Sequence, residues 1–117
     1  MSCPEFIAKT MAMRTAAHLA HLVSRSYAQH MALNEFYEGL LGPVDRLAEI
    51  HLAESPAATF PAYRVPPYDE PVQMLMEYLK EVRVELKAEA AHKAKENILT
   101  EFEELTLQTL YKLKRFA

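Results

Sequence analysis

Prolines divide this chain into two parts, and they constrain its fold more than any other feature. Five of the 7 prolines lie within residues 54–71, ESPAATFPAYRVPPYDEP. Proline lacks a backbone N–H, and its ring clashes with the preceding helical turn, so no helix can continue through such a density of proline. We therefore expect a non-helical segment at residues 54–69, with helices before and after it.

The composition favours helices and a single domain. Of 117 residues, 50% are hydrophobic, yet the chain has only 2 glycines and no tryptophan. Alanine, leucine, glutamate and lysine are abundant, and helices favour these residues. We expect one all-α domain covering residues 1–117.

Charge and cysteine content restrict the partners and the compartment. No run of about 18 apolar residues is present, so no membrane-spanning helix is expected, and MSCPEF lacks the features of a secretory signal. The single Cys3 cannot form an internal disulfide, which is typical of a cytoplasmic protein. A net charge of −3 and only a small basic C-terminus (Lys112, Lys114 and Arg115) argue against DNA binding.

Local signals indicate four helices. The first begins with Ser2 and Glu5, which have the spacing of a capping box, and a serine-containing turn at residues 24–26 separates it from the second. An apolar stripe from Val72 to Leu86 marks the third. The predicted segments are residues 2–23, Tyr27 to about Ala53, Asp69 (as N-cap) onwards, and Asn97–Phe116.

The connection between the third and fourth helices has no strong local signal. The stretch KAEAAHKAKEN, residues 87–97, contains neither glycine nor proline. We predict a turn at His92–Lys95. The alternative is one continuous helix of more than about forty residues, which would form the long arm of an amphipathic hairpin.

The second helix contains a Gly-Pro pair, within HMALNEFYEGLLGPVDRLAE, residues 30–49. Its apolar stripe keeps helical phase across Pro43, and the residue one turn earlier, Gly39, leaves room for the proline ring. We favour one kinked helix over a helix that ends at Gly42. A second stripe lies beside it and is either a solvated edge of the helix or a buried subunit interface. As an interface, it would leave Tyr37, Leu41 and Ala48 uncovered in an isolated bundle, which predicts a homo-oligomer. The stripe comprises His30, Asn34, Tyr37, Leu41, Asp45 and Ala48, with Glu49 at its edge.

The proline-rich segment is long enough to cross the domain. The second helix is about 40 Å long at ~1.5 Å per residue, and an extended linker of about 16 residues spans roughly 50 Å. A long connection between the second and third helices, with short turns elsewhere, predicts a ferritin-like four-helix bundle with a crossover.

The spacing His30-x14-Asp45-x3-Glu49 resembles the metal site of the Dps family, which is ferritin-like. The resemblance implies an iron site between two subunits, with His21 and His30 from one subunit and Asp45 and Glu49 from its neighbour. His18, one turn before His21, is the alternative first ligand. Imidazole and carboxylate ligands also suit zinc or manganese.

Two residues depart from the Dps pattern and reduce the expected metal affinity. Asn34 stands where the family has an acid, and Leu22 stands where it has a tryptophan. HLVSRSYAQHMALNEFYEGLLGPVDRLAE and ENILTEFEELTLQTLYKLKRF also resemble phage-encoded ferritin-like proteins. That resemblance implies a host cytoplasmic or virion location and virion or host protein partners.

Other candidate sites are weaker. Glu89-x-x-His92 has the form of a di-iron ligand pair, but an intrabundle di-iron site needs two such pairs. Cys3 has no partner for catalysis, and we expect an inert thiol. Two functions follow from these patterns: a Dps-like iron-binding protein, with ferroxidase activity left open, or a phage structural or interaction protein without metal chemistry.

Overall fold

The computed structural model describes residues 1–116, and their regular secondary structure is entirely helical. The all-α, four-helix prediction is confirmed for these residues. None of the helices is at once long and apolar enough to span a membrane. The helices are α1 (Cys3–Val23), α2 (Tyr27–Glu54), α3 (Pro71–Ala88) and α4 (Lys93–Arg115).

Side-chain caps begin α1 and α2 where the sequence predicted them. The Ser2 hydroxyl accepts from the backbone N–H of Glu5, and the Glu5 carboxylate accepts from the backbone N–H of Ser2. Ser26 accepts in the same way from the N–H of Gln29. α2 then continues as one helix through Pro43, so the alternative of a break before this proline is wrong.

The predicted non-helical segment is confirmed, with a small shift at its end. Residues 55–70 form only a short turn and bends between α2 and α3. α3 begins at Pro71, and its N-cap is Glu70 rather than the predicted Asp69. Neither acid caps the helix with its side chain, so proline, which needs no N–H partner at this position, marks the start.

The turn between α3 and α4 lies earlier than predicted. The chain turns at residues 89–92, so α4 begins at Lys93 and not at Asn97. The alternative prediction of a single long helix is therefore wrong. Nδ1 of His92 accepts from the backbone N–H of Lys95 at 3.3 Å and caps α4. Histidine is not among the residues that prefer this position, which is why the local signal was weak.

The four helices surround one aromatic and aliphatic core. α1 and α4 each pack against both α2 and α3. Across the diagonals of the bundle, Phe6 meets Phe102 edge to face with ring centroids 5.7 Å apart, and Phe36 meets Tyr78 at 6.2 Å. These rings are almost fully buried, so every helix contributes to the same core.

Candidate functional site

Three histidines gather where α1 ends and α2 begins. His18 and His21 lie near the end of α1, His30 lies near the start of α2, and the tight connection at residues 24–26 brings these ends together. The rings of His21 and His30 stack with centroids 3.6 Å apart and planes 20° from parallel. The ring of His18 lies 6.1 Å from that of His21. The structure thus brings together three of the five predicted site residues.

His21 and His30 hold each other through their main chains. Nδ1 of His21 donates to the carbonyl oxygen of His30 at 2.7 Å, and Nδ1 of His30 donates to the carbonyl oxygen of His21 at 2.8 Å. A carbonyl oxygen only accepts, so each Nδ1 carries the proton. In the neutral imidazole, Nε2 is then the acceptor atom of both rings. Metal-binding histidines are commonly oriented in this way, by donating their other N–H to a carbonyl.

Tyr37 covers the cluster from the α2 side. Its ring stacks on His18 with centroids 4.3 Å apart, and its hydroxyl donates to Oδ1 of Asn34 at 2.9 Å. Nε of Arg14 donates to the carbonyl oxygen of Tyr37 at 2.9 Å. Tyr37 is therefore only 8% exposed, and the prediction that an isolated bundle leaves it uncovered is wrong.

The two predicted acids lie far from the histidines of the same chain. Asp45 and Glu49 are 15 and 19 residues after His30 on α2, which places them about 22 and 28 Å along the helix at ~1.5 Å per residue. Both side chains are exposed. Within residues 1–116, no group of three or more His, Cys, Asp or Glu side chains is arranged to hold a metal ion. Any complete site of the predicted ligands therefore needs a second copy.

Exposed apolar side chains surround the histidine cluster. Tyr27 is 78% exposed, Leu22 and Val23 are each 62% exposed, and Met31 is partly exposed beside them. Leu41 is exposed further along α2. Clustered apolar surface of this kind is typical of a region that contacts another molecule.

A second polar cluster lies at the opposite end of the bundle, and sequence reasoning missed it. Glu85 is 1% exposed, and within residues 1–116 neither of its carboxylate oxygens has a hydrogen-bond partner. Nζ of the buried Lys95 donates to Nδ1 of His51 at 2.9 Å and lies 3.8 Å from Oε2 of Glu89. The thiol of Cys3 lies beside them.

Helical spacing could have revealed these buried charges. Glu85 follows Tyr78 by seven residues and Val82 by three, so it lies on the core face of α3. Lys95 precedes Phe102 by seven residues on the core face of α4. A charged residue on an apolar stripe is the signal that points to them.

Burial sets the protonation of this second cluster. It raises the pKa of the Glu85 carboxyl, and the negative charge of Glu89 adds to the effect while Lys95 opposes it. Burial also raises the pKa of the Cys3 thiol to about 11. The thiol is therefore protonated at neutral pH, as expected for an inert cysteine.

The profile of one protein family, DUF5856, matches residues 21–113. The chain belongs to the DUF5856 family. The family is described as one of unknown function, and no curated protein and no solved structure matches the chain. The part of this DUF5856 protein that the profile covers begins at His21 and includes His30, Asp45 and Glu49.

In this DUF5856 protein, Glu89 and His92 make structural contacts with other residues and do not form a ligand pair. Nε2 of His92 is hydrogen-bonded to Oε1 of Glu54 at 2.7 Å, and the other ring nitrogen caps α4. The bond lowers the pKa of Glu54. Glu89 instead faces Lys95. The histidine cluster at the α1–α2 connection is therefore the better candidate for metal chemistry.

Proposed function

We propose that this DUF5856 protein forms a homo-oligomer through α2 and binds a transition-metal ion between subunits. His21 and His30 of one subunit supply imidazole Nε2 atoms, and Asp45 and Glu49 of the neighbour supply carboxylates. The observation that carries the proposal is the pair of reciprocal hydrogen bonds that fixes Nδ1 of both histidines and leaves both Nε2 atoms as acceptors.

The arrangement of exposed residues on α2 supports a two-fold contact. Two antiparallel copies of α2 that cross near residues 38–41 would place His30 of one copy beside Asp45 and Glu49 of the other. Leu41 is exposed at this crossing point. Among residues 1–116, no side chain lies within 4 Å of the position that a Cβ atom would take at Gly42. A second helix could therefore approach closely there.

Contacts at the helix ends support the ferritin-like connectivity that is part of the proposal. Glu54, the last residue of α2, bonds His92 at the turn between α3 and α4, so α2 and α3 end at the same end of the bundle. Residues 55–70 must then return along the bundle to reach Pro71. The salt bridge between Arg46 and Glu101 gives α2 and α4 the antiparallel contact that this connectivity requires.

Iron is the ion that the Dps resemblance implies, and zinc or manganese suits the same ligands. The chain itself would bind the ion, orient the imidazoles and exclude water by its apolar surroundings. The amide of Asn34 already accepts from Tyr37 and adds no charge, so we propose metal binding or sequestration before ferroxidase turnover.

Subunit mixing tests the shared site directly. Zn(II), which has no redox chemistry, is titrated by calorimetry into wild-type protein, His30→Ala, Asp45→Asn and the control His92→Ala. We expect at least a tenfold weaker affinity for the first two variants and no change for the control. Mixing His30→Ala and Asp45→Asn subunits should restore about one quarter of the sites, because a mixed dimer has one site with all ligands intact.

Anaerobic titration with Fe(II) then tests whether the same site binds iron. Sedimentation measures the number of subunits in the oligomer. A monomer at micromolar concentration, or failure of mixing to restore any site, would contradict the shared site.

A structural or interaction protein without metal chemistry is the second candidate. The same reciprocal hydrogen bonds also tie the end of α1 to the start of α2, which is a sufficient structural role for both histidines. In that case His30→Ala lowers the unfolding temperature in the absence of metal, and none of the proteins binds Zn(II) or Fe(II) with measurable affinity.

A further inference from the structure

A cavity of about 400 Å³ lies between α1, α3 and the end of the connecting segment, and it shares no lining residue with the histidine cluster. This volume falls within the range of small-molecule sites, about 300–1,000 Å³. Its lining is mostly apolar, and the charged side chains in the lining are exposed or half-buried, which places them at the rim. No ligand of the proposed metal site uses it.

The floor of the cavity consists of apolar groups from two helices. Ala12 and Met13 come from α1, and Met74 and Tyr78 come from α3. The Tyr78 hydroxyl is hydrogen-bonded to Thr10 at 2.8 Å, so the tyrosine offers its ring rather than a free hydroxyl. Flexible thioethers and an aromatic ring suit a hydrocarbon or aromatic body.

The connecting segment forms the opposite wall and is attached to α1. Tyr63, Pro66 and Pro67 line this wall. The ammonium group of Lys9 lies 5.9 Å from the centroid of the Tyr63 ring, a cation–π contact that joins the segment to α1. This contact links the wall to the helix that forms part of the floor.

The charges at the rim determine which ligand fits. Lys9 is paired with Glu81, so these two charges offset each other. The remaining lining charges are the carboxylates of Asp69, Glu70 and Glu77 and the guanidinium of Arg64, and Lys80, outside the lining, lies 4.0 Å from the Glu77 carboxylate. With Lys80 counted, three carboxylates stand against two cations, so the entrance keeps a small excess of negative charge, which favours a cation over an anion.

We propose that this cavity binds a small apolar cation, an amine whose hydrocarbon or aromatic body enters the cavity while its charged head remains among Asp69, Glu70 and Glu77. The proposal is independent of the metal site and does not need a second subunit.

Three ligands that share an alkyl chain but carry a cationic, a neutral or an anionic head group test the proposal. Decylamine, decanol and decanoate are titrated at neutral pH, below the concentration at which they form micelles, and binding is measured by calorimetry. We expect decylamine to bind at least tenfold more tightly than decanoate, with decanol between them. Equal or tighter binding of decanoate, or no binding of decylamine, would overturn the proposal.

Two substitutions test separately how the ligand's hydrocarbon body and its charged head contribute to binding. Ala12→Phe fills the floor and should weaken all three ligands at least tenfold, whereas the matched control Ala94→Phe, at an exposed position on α4, should change none. Glu77→Gln, also exposed, should weaken decylamine several-fold and leave decanol unchanged. Equal losses for decylamine and decanol in Glu77→Gln would contradict a role for the rim charge.

Methyl-labelled methionines locate the ligand without any substitution. Decylamine should shift the methyl signals of Met13 and Met74 and leave that of Met31, beside the histidine cluster, in place. Shifts at Met31 alone would assign binding to the exposed apolar surface and refute the cavity site, even if Ala12→Phe fails to fold.

Discussion

His21 and His30, from two different helices, each donate from Nδ1 to the carbonyl oxygen of the other, and their rings stack at 3.6 Å. Neither contact is visible in one helix alone, because the residues meet only when the connection at residues 24–26 folds α1 onto α2. The arrangement fixes the tautomer of both rings and is the basis of the metal proposal.

The tautomers of His21 and His30 can be observed directly. In ¹⁵N-labelled protein, at a pH where the imidazoles are neutral, both rings should be protonated at Nδ1 and unprotonated at Nε2, because each Nδ1 donates to a carbonyl. Long-range ¹H–¹⁵N spectra measure this. On addition of Zn(II), the proposal expects the Nε2 signals of both rings to move, with those of His92 unchanged. Protonation at Nε2 in the metal-free protein would remove the basis of the proposal.

Asn34→Asp should strengthen metal binding. The substitution adds a charged oxygen one turn after His30, where the Dps resemblance leads one to expect an acid, and the Tyr37 hydroxyl can still donate to it. We expect at least a several-fold higher affinity for Zn(II) by calorimetry. Asn97→Asp, at an exposed position on α4, is the matched control and should have no effect. Unchanged affinity in Asn34→Asp would indicate that this position lies outside the site.

Glu85→Leu should stabilise the protein, and the gain should depend on pH. The substitution removes two buried oxygens without partners, which is worth about 1–3 kcal/mol in the free energy of unfolding. Burial raises the pKa of Glu85 above its ordinary value of 4.5, so its protonated form is favoured in the folded state. The stability associated with that protonation is fully present below pH 4.5 and is lost as pH rises through the folded-state pKa.

The advantage of Glu85→Leu should therefore grow as pH rises from 4.5 towards 7. Urea unfolding at several pH values measures it. The exposed Glu104→Leu is the control and should stay within about 0.5 kcal/mol of the wild type. A gain that shrinks as pH rises would show that Glu85 is stabilised in its charged form.

Trypsin should cut first after Arg64. This residue is exposed within the non-helical residues 55–70, whereas most other basic residues lie in helices. Mass spectrometry of a short digestion should show residues 1–64 and 65–117, and Arg64→Gln should slow the first cut. An initial cut after Arg25 would mean that the short α1–α2 connection opens more readily than the long segment.

The sequence by itself determined the helical elements, because their signals act within a few residues. The cluster of prolines excluded helix between α2 and α3, and the caps at Ser2 and Ser26 placed the starts of α1 and α2. The apolar stripe kept its phase through Pro43, which predicted one helix there. The resemblance to the Dps family indicates His18, His21 and His30 as candidate ligands.

Tertiary structure decided the properties that depend on residues distant in sequence. His92 caps α4 and bonds Glu54, 38 residues away, and a contact at that separation leaves no local signal. Glu85 and Lys95 are buried because their helix faces turn towards the core. The ring of His18, on α1, stacks on that of Tyr37, on α2, and helps to bury it. Helical spacing can place a charged residue on the apolar face of a helix, but a side chain loses its water only when other helices cover it. The packed bundle therefore decides that Glu85 and Lys95 are buried.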